Sequence, residues 1–398
     1  MRRAARRDRN KVAVYFAETA WTYGRWNEEV NRLAHGFEEC GILPHTHVGL
    51  VAANSLRFVT TLMALAKLGA VAVPMNPALT PNELGYIFAD AGVAALVADA
   101  AHASGVDMAL GVSIKGPKVV LDGSGDGWLS YENVSSHDGH EYWADIYDDD
   151  LAQILYTSGT ESRPKGVMLT HRNLLDEFAS ILVAGEFRSD DTVLHALPLY
   201  HSAQLNAFFG PFLYLGATHV ITERPDPVWI LELIEECRVT EFFSPPTVWI
   251  SMLRSPTFRP ARLRSLQKAV YGAAIMPIEV LKELNAQLPW VRFWNMYGMT
   301  EVAPFATGLQ PDQQLARPCS VGKPGINAEM AILRENGEEA PADEVGEIVF
   351  RTSHALLQQS RTDAGSHQGR SRCSSPRAGC PVSAGSRATR NPVPCERG

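Results

Sequence analysis

Residues 156–166, YTSGTESRPKG, gather the groups that hold oxyanions: hydroxyls at Thr157, Ser158 and Thr160, a glycine at 159, and a cation at Lys165. Glycine lets backbone amides approach an anion, hydroxyls donate hydrogen bonds, and lysine supplies charge. The composition predicts a phosphate-binding loop, with a solvated surface turn as the alternative. The spacing differs from the nucleotide P-loop, which needs Gly, four residues, then Gly-Lys-Ser/Thr. Here Gly159 is followed, after four residues, by Pro164, Lys165 and Gly166. Glu161 runs against the rest of the loop, because a carboxylate repels phosphate.

The elements that must position this loop alternate. The stretch RWNEEVNRLAHGFEECG places Val30, Leu33, Ala34 and Phe37 on one helical face and stops at Gly41. HVGLVAA, VAVPMNP and AALVAD read as strands, with the apolar helix SLRFVTTLMALAKLGA among them. After the loop come helices at HRNLLDEFASILVAGE, PVWILELIEECRV and PIEVLKELNAQLP, the last with Pro277 in its first turn. Strands follow the same rhythm at TVLHALP, HVITE, TEFFSPP and LQKAVYGAA. This alternation predicts mainly parallel, helix-covered sheets. Between about residues 317 and 351 the pattern turns to short β-pieces, with a turn expected at Asn336-Gly337.

Composition excludes several classes. The chain has 398 residues, a formal net charge of -8 and 45% hydrophobic content. That balance argues against nucleic acid as a partner. No run approaches the eighteen apolar residues of a membrane span. The basic start, MRRAARRDRNKVAVYF, lacks the apolar core of a secretory signal, so a cytoplasmic protein is expected. The six cysteines form no CxxC pair, and Cys40, Cys237 and Cys319 read as small buried hydrophobes. The oligomeric state is not legible.

YTSGTESRPKGVMLTH resembles the phosphate-binding signature of the adenylate-forming superfamily, Thr-Ser-Gly-Thr-Thr-Gly-x-Pro-Lys-Gly, found in acyl-CoA ligases, peptide-synthetase adenylation domains and beetle luciferases. Other blocks agree in order: WTYGRWNEEVNRLAHGF, AKLGAVAVPMNP, LPLYH, YGAAIMP, MYGMTE and VGEIVFR. The resemblance covers about residues 12 to 354. It implies an αβαβα sandwich of two mainly parallel sheets with a partial small β-barrel, and a reaction that joins a carboxylate to the α-phosphate of ATP before CoA attacks. By the same resemblance Thr157, Ser158, Gly159, Thr160 and Lys165 would cradle the β- and γ-phosphates. Thr300 would contact the α-phosphate and Glu301 would hold Mg²⁺. Tyr297 would stack on adenine against Gly272, Ala273 and Ala274, and His201 would line the carboxylate tunnel. Each has a plainer alternative: a helix-start acid for Glu301, a core aromatic for Tyr297, a structural imidazole for His201. The apolar stretches HSAQLNAFFGPFLYLGA and FFSPPTVWISML suit a fatty or aryl acid.

Two departures set further expectations. Glu161 and Ser162 stand where the family has Thr and Gly, which predicts weakened ATP binding. After VGEIVFR the family continues with a Tyr-x-x-Gly-Asp block and a mobile C-terminal domain carrying Gly-Arg-x-Lys and a late lysine; these do not appear. Residues 355–398 instead carry many Arg, Ser, Gly and Pro, and from residue 358 onward there is no aromatic residue, no Lys and no Ile. They are expected to be a disordered tail, either out-of-frame translation of the missing domain or a natural flexible tail. Impaired thioester formation follows as an expectation, the rival being a non-catalytic nucleotide- or acyl-binding remnant.

Overall fold

The computed structural model describes residues 1–109, 114–157, 163–318, 320–342 and 344–353, and the backbone of Val382 and Ser383. Two sheets dominate. The first has seven strands in the order β7 (Leu129–Ser130), β6 (Lys118–Val120), β5 (Ala95–Ala98), β3 (His47–Val51), β4 (Val71–Met75), β8 (Leu151–Thr157) and β9 (Lys165–Thr170). All its neighbours are parallel except β8 and β9, which form an antiparallel hairpin. The second has nine strands, ordered β16 (Lys323–Pro324), β15 (Phe305–Leu309), β14 (Arg292–Gly298), β13 (Lys268–Gly272), β12 (Glu241–Phe243), β10 (Thr192–His195), β11 (Thr218–Ile221), β1 (Val12–Phe16) and β2 (Thr19–Thr22). Its centre is parallel and both margins are antiparallel.

Helices fill three layers around these sheets. Tyr23–Glu39 and Leu56–Leu68 lie between them, sharing one core with Val48, Leu50 and Val97 of the first sheet and Val14 and Ile221 of the second. Val30, Leu33, Ala34 and Phe37 are fully buried there, as the helical period requires. Pro81–Asp90 and Ala100–Ala109 cover the outer face of the first sheet. Pro227–Glu236, Pro246–Leu253 and Ile278–Gln287 cover the outer face of the second. The architecture is the five-layer αβαβα sandwich. Pro277 sits at the N-cap of the last of these helices, one place before its first turn. A third, antiparallel sheet joins β17 (Ala328–Leu333), β18 (Glu347–Thr352) and β19 (Val382–Ser383), and is the small β-unit expected beyond residue 317. The turn at Asn336-Gly337 is present, with Gly337 at φ +83° and its amide donating to the Arg334 carbonyl. The tail, apart from that two-residue strand, lies outside the described residues, as does Cys319.

Candidate active site

The stretch expected to bind phosphate runs from the end of β8 to the start of β9, which pair antiparallel. Thr157 ends β8 and pairs with Lys165, which opens β9. Ser158, Gly159, Thr160, Glu161 and Ser162 lie outside the described residues. The hairpin is tied to the helix Pro81–Asp90: Tyr156 donates its hydroxyl to Asp90 at 2.7 Å, and Tyr86 donates to the Pro164 carbonyl at 3.2 Å. The Arg163 guanidinium lies over the Tyr86 ring, 5.6 Å from its centroid.

The hairpin packs directly on the other half of the site. Ala152, Leu155, Val167 and Leu169, with Leu174 of the next helix, share a core with Ala303. Ala303 closes the short 3₁₀ turn Thr300–Val302. The hairpin that Lys165 opens and the turn that carries Thr300 and Glu301 are thus joined through a common core, although more than a hundred residues separate them in the chain.

That turn grows from β14. Gly272 and Met296 are register partners, so Ala273, just past the end of β13, and Tyr297, still within β14, follow at the same level. A Cβ on Gly272 would stand 2.3 Å from the Met296 carbonyl oxygen, and one on Gly298 would stand 1.8 Å from that of Pro304. Gly272 thus has a packing reason of its own: the backbones approach too closely for a side chain. Ala273 follows at φ +64° and Ala303 at φ +68°, left-handed conformations that cost a non-glycine residue about 1 kcal/mol each. Ala273 and Ala274 are exposed at the strand end. Tyr297 is half-buried, its ring 6.3 Å from that of Phe350 in the third sheet, and burial raises the pKa of its hydroxyl. Glu301 is half-buried beside Thr300. Among the described residues, no group of three or more His, Cys, Asp or Glu side chains is arranged to hold a metal ion. One carboxylate completed by nucleotide oxygens is a common way to hold Mg²⁺, and Glu301 fits that arrangement.

His201 sits in the turn between β10 and a π-helix, Ala203–Phe209, a form often found at functional sites. His201 is exposed to solvent, yet the protein around it lowers its pKa by desolvation. Nδ1 accepts from the Ala203 amide at 3.3 Å, so the neutral ring carries its proton on Nε2. The turn is held by Asn54, which lies between β3 and the helix Leu56–Leu68 and is 4% exposed. Its side-chain oxygen accepts from the Leu199 amide at 2.8 Å, and its nitrogen donates to the Leu197 and Thr222 carbonyls at 2.8 and 3.1 Å. Asn54→Ala would strand all three backbone groups, so we expect a loss of roughly 3 kcal/mol in urea unfolding. A loss below about 1 kcal/mol would show that water replaces the amide.

The π-helix also leans on a buried imidazole chain. Gln204 donates to His195 Nδ1 at 2.7 Å, and His195 Nε2 donates to His219 Nδ1 at 2.9 Å. Burial lowers His195 to about 3 and His219 also well below its usual value, so both stay neutral.

Glu177, in the helix His171–Ala184, is fully buried, and neither carboxylate oxygen has a hydrogen-bond partner among the described residues. Burial pushes its pKa well up, and the nearby Phe305 amide offsets only part of this. An unfolded Glu titrates near about 4.3. Above that pH the folded chain keeps a proton that the unfolded chain releases, so stability falls as pH rises toward the folded pKa. Glu177→Gln cannot titrate, so its stability relative to the parent should climb between pH 4 and 8 in denaturant midpoints. A pH-independent difference would mean that Glu177 ionises normally.

Sequence reading missed Ser202, Asn54 and Phe350 as parts of this site. Ser202 carried a weak signal in its place directly after His201. Asn54 carried none, since its partners are more than 140 positions away.

Residues 1–357 match the AMP-binding enzyme family. The chain belongs to that family. Among curated relatives of this AMP-binding domain, feruloyl-CoA synthase of Amycolatopsis sp is 34% identical over 349 residues, 87% of this chain and 68% of that protein. The 4-coumarate–CoA ligase 5 of Oryza sativa subsp. japonica is 31% identical over 362 residues, 88% of this chain and 66% of that protein. The chain thus spans about two thirds of these relatives. Among solved structures, the N-terminal domain of FACL13 from Mycobacterium tuberculosis superposes with a TM-score of 0.81 at 26% identity, covering 91% of each chain.

Proposed function

We propose that residues 1–354 form the unit that binds ATP and an aromatic carboxylic acid and joins them as an acyl-adenylate, ahead of transfer to CoA. The observation that supports this reading is the core that the β8–β9 hairpin shares with Ala303, the residue that closes the Thr300–Val302 turn. In the reaction a carboxylate oxygen attacks the α-phosphorus, the bond to the bridging oxygen breaks, and pyrophosphate leaves with the electron pair. Negative charge accumulates near the phosphates, so donors fixed in advance lower the barrier.

Thr157, Ser158, Gly159, Thr160 and Lys165 take the β- and γ-phosphates, and Thr300 donates to the α-phosphate. Tyr297 covers the base beside Gly272, Ala273 and Ala274. Glu301 holds Mg²⁺, which when bound neutralises phosphate charge. Neutral His201 donates from Nε2 to the acid and orients its attacking oxygen. In the second half-reaction the CoA sulfur attacks the acyl carbon and AMP departs. ATP and CoA are intracellular, which favours the cytoplasm, and no helix among the described residues is long and apolar enough to cross a membrane.

Similarity to feruloyl-CoA synthase and 4-coumarate–CoA ligase supports an aryl acid over a fatty one. The Gly272 strand end, assigned above to the base, is backed by aromatic side chains of the core. Phe208 of the π-helix stacks on Phe243 with centroids 4.2 Å apart, and the Phe243 ring lies 3.6 Å from where a Gly272 Cβ would stand. The test is acid-dependent exchange of labelled pyrophosphate into ATP. Ferulic, coumaric or indoleacetic acid should stimulate exchange at least about tenfold more than octanoic or palmitic acid. A preference for the fatty acids would overturn the aryl assignment; silence with every acid would overturn adenylation.

A further inference from the structure

The residue read as the α-phosphate contact has a buried companion. Ser202 Oγ lies 2.8 Å from Thr300 Oγ1 across 98 positions of sequence, with the two residues only 3% and 9% exposed. Ser202 stands at the N-cap of the π-helix, where a serine would ordinarily bond a backbone amide, yet its side chain caps nothing. Among the described residues, each hydroxyl makes this one side-chain hydrogen bond.

A hydroxyl has one proton and two acceptor lone pairs. If Thr300 donates to Ser202, its proton is spent inside the protein and it meets a ligand only as an acceptor, which repels a phosphate oxygen. If Ser202 donates, the Thr300 proton is free to point outward. A nucleotide phosphate selects the second arrangement, because the bond to a charged acceptor is the stronger one. Ser202 also follows His201 directly. The same bond therefore fixes the residue read as orienting the acid against the one read as holding the phosphate, and small displacements between such groups slow a reaction steeply.

We propose that Ser202 is a positioning residue: it donates to Thr300 Oγ1 and so commits the Thr300 hydroxyl proton to an α-phosphate oxygen of the nucleotide. This rests on the assignment of Thr300 under Proposed function. It predicts a defect confined to the phosphate, not to the adenosine part of the ligand.

The experiment compares AMP with adenosine as ligands of four full-length proteins: the parent, Ser202→Ala, Thr300→Ala and the double variant. The parent should bind AMP more tightly than adenosine. Ser202→Ala should weaken AMP about tenfold and leave adenosine unchanged. On the Thr300→Ala background the same change should cost AMP nothing further, because the residue through which Ser202 acts is gone. An unchanged AMP-to-adenosine ratio in Ser202→Ala would overturn the proposal. Equal weakening of both ligands would also overturn it, since that marks a purely structural bond, as would a loss that persists without Thr300. A parent protein with no preference for AMP would instead contradict the Thr300 assignment itself, and the proposal with it.

Discussion

Glu301→Gln weakens Mg-ATP binding about a hundredfold and leaves adenosine binding unchanged. Glu301 is half-buried next to Thr300, in a turn pinned by the core around Ala303 on one side and by Val302, packed with Ala306 and Phe350, on the other. A side chain carried on a backbone fixed in this way loses less entropy when it meets a cation. Glutamine keeps the shape and one oxygen but removes the charge that a hard divalent ion requires. A lost contact to a charged group costs about 1.5–3 kcal/mol, which is roughly ten- to a hundredfold in affinity, and no other group of acidic side chains among the described residues is arranged to hold a metal. Calorimetric titrations with and without magnesium check the result: the parent should respond strongly to the metal and the variant hardly at all. Equal magnesium responses would assign Glu301 to the turn alone.

Glu161→Thr combined with Ser162→Gly should tighten Mg-ATP binding at least tenfold. A carboxylate about 6 Å from a phosphate charge, at an effective dielectric of about 20, costs about 3 kcal/mol, equivalent to roughly a hundredfold in affinity. Arg163 could offset part of this, but its guanidinium is engaged over the Tyr86 ring at the flank of the hairpin, which limits its reach. The glycine adds backbone freedom. Isothermal titration of both proteins decides the matter. Equal affinities would mean that Glu161 points away from the nucleotide and that the loop binds it differently from the arrangement proposed here.

The parts of the fold with a one-dimensional period were legible in the sequence. The face formed by Val30, Leu33, Ala34 and Phe37 and the apolar runs of β3, β4 and β5 announce their elements because burial repeats along the chain. The short helix Arg2–Arg7 escaped reading, since six residues with four arginines show no apolar period. The β1–β2 hairpin and β9 were also missed. In β9 the glycine and proline of the loop masked a strand that begins at Lys165. The π-helix cannot be told from an α-helix by composition, because its distinguishing feature is a hydrogen-bond register.

The site divides in the same way. Residues 156–166 and 296–301 stood out because phosphate chemistry needs hydroxyls, glycine and charge packed closely in sequence. The bond from Ser202 to Thr300 and the grip of Asn54 on Leu199 arise only when distant segments meet, and no local pattern encodes them. Gly272 shows the opposite trap. Its smallness reads as room for a ligand, yet the Met296 carbonyl on the next strand already demands it.

The measurement that bears most directly on the central claim uses a stable mimic of the expected intermediate, with adenosine joined through a sulfamate to a cinnamoyl group. The claim is that one surface holds nucleotide and acid together, so that the parts of the mimic bind with cooperating free energies. Titrated into the full-length protein, the mimic should bind once per chain, compete with ATP, and bind roughly a hundredfold or more tighter than AMP. Binding no tighter than AMP, or binding that ATP fails to displace, would contradict the account.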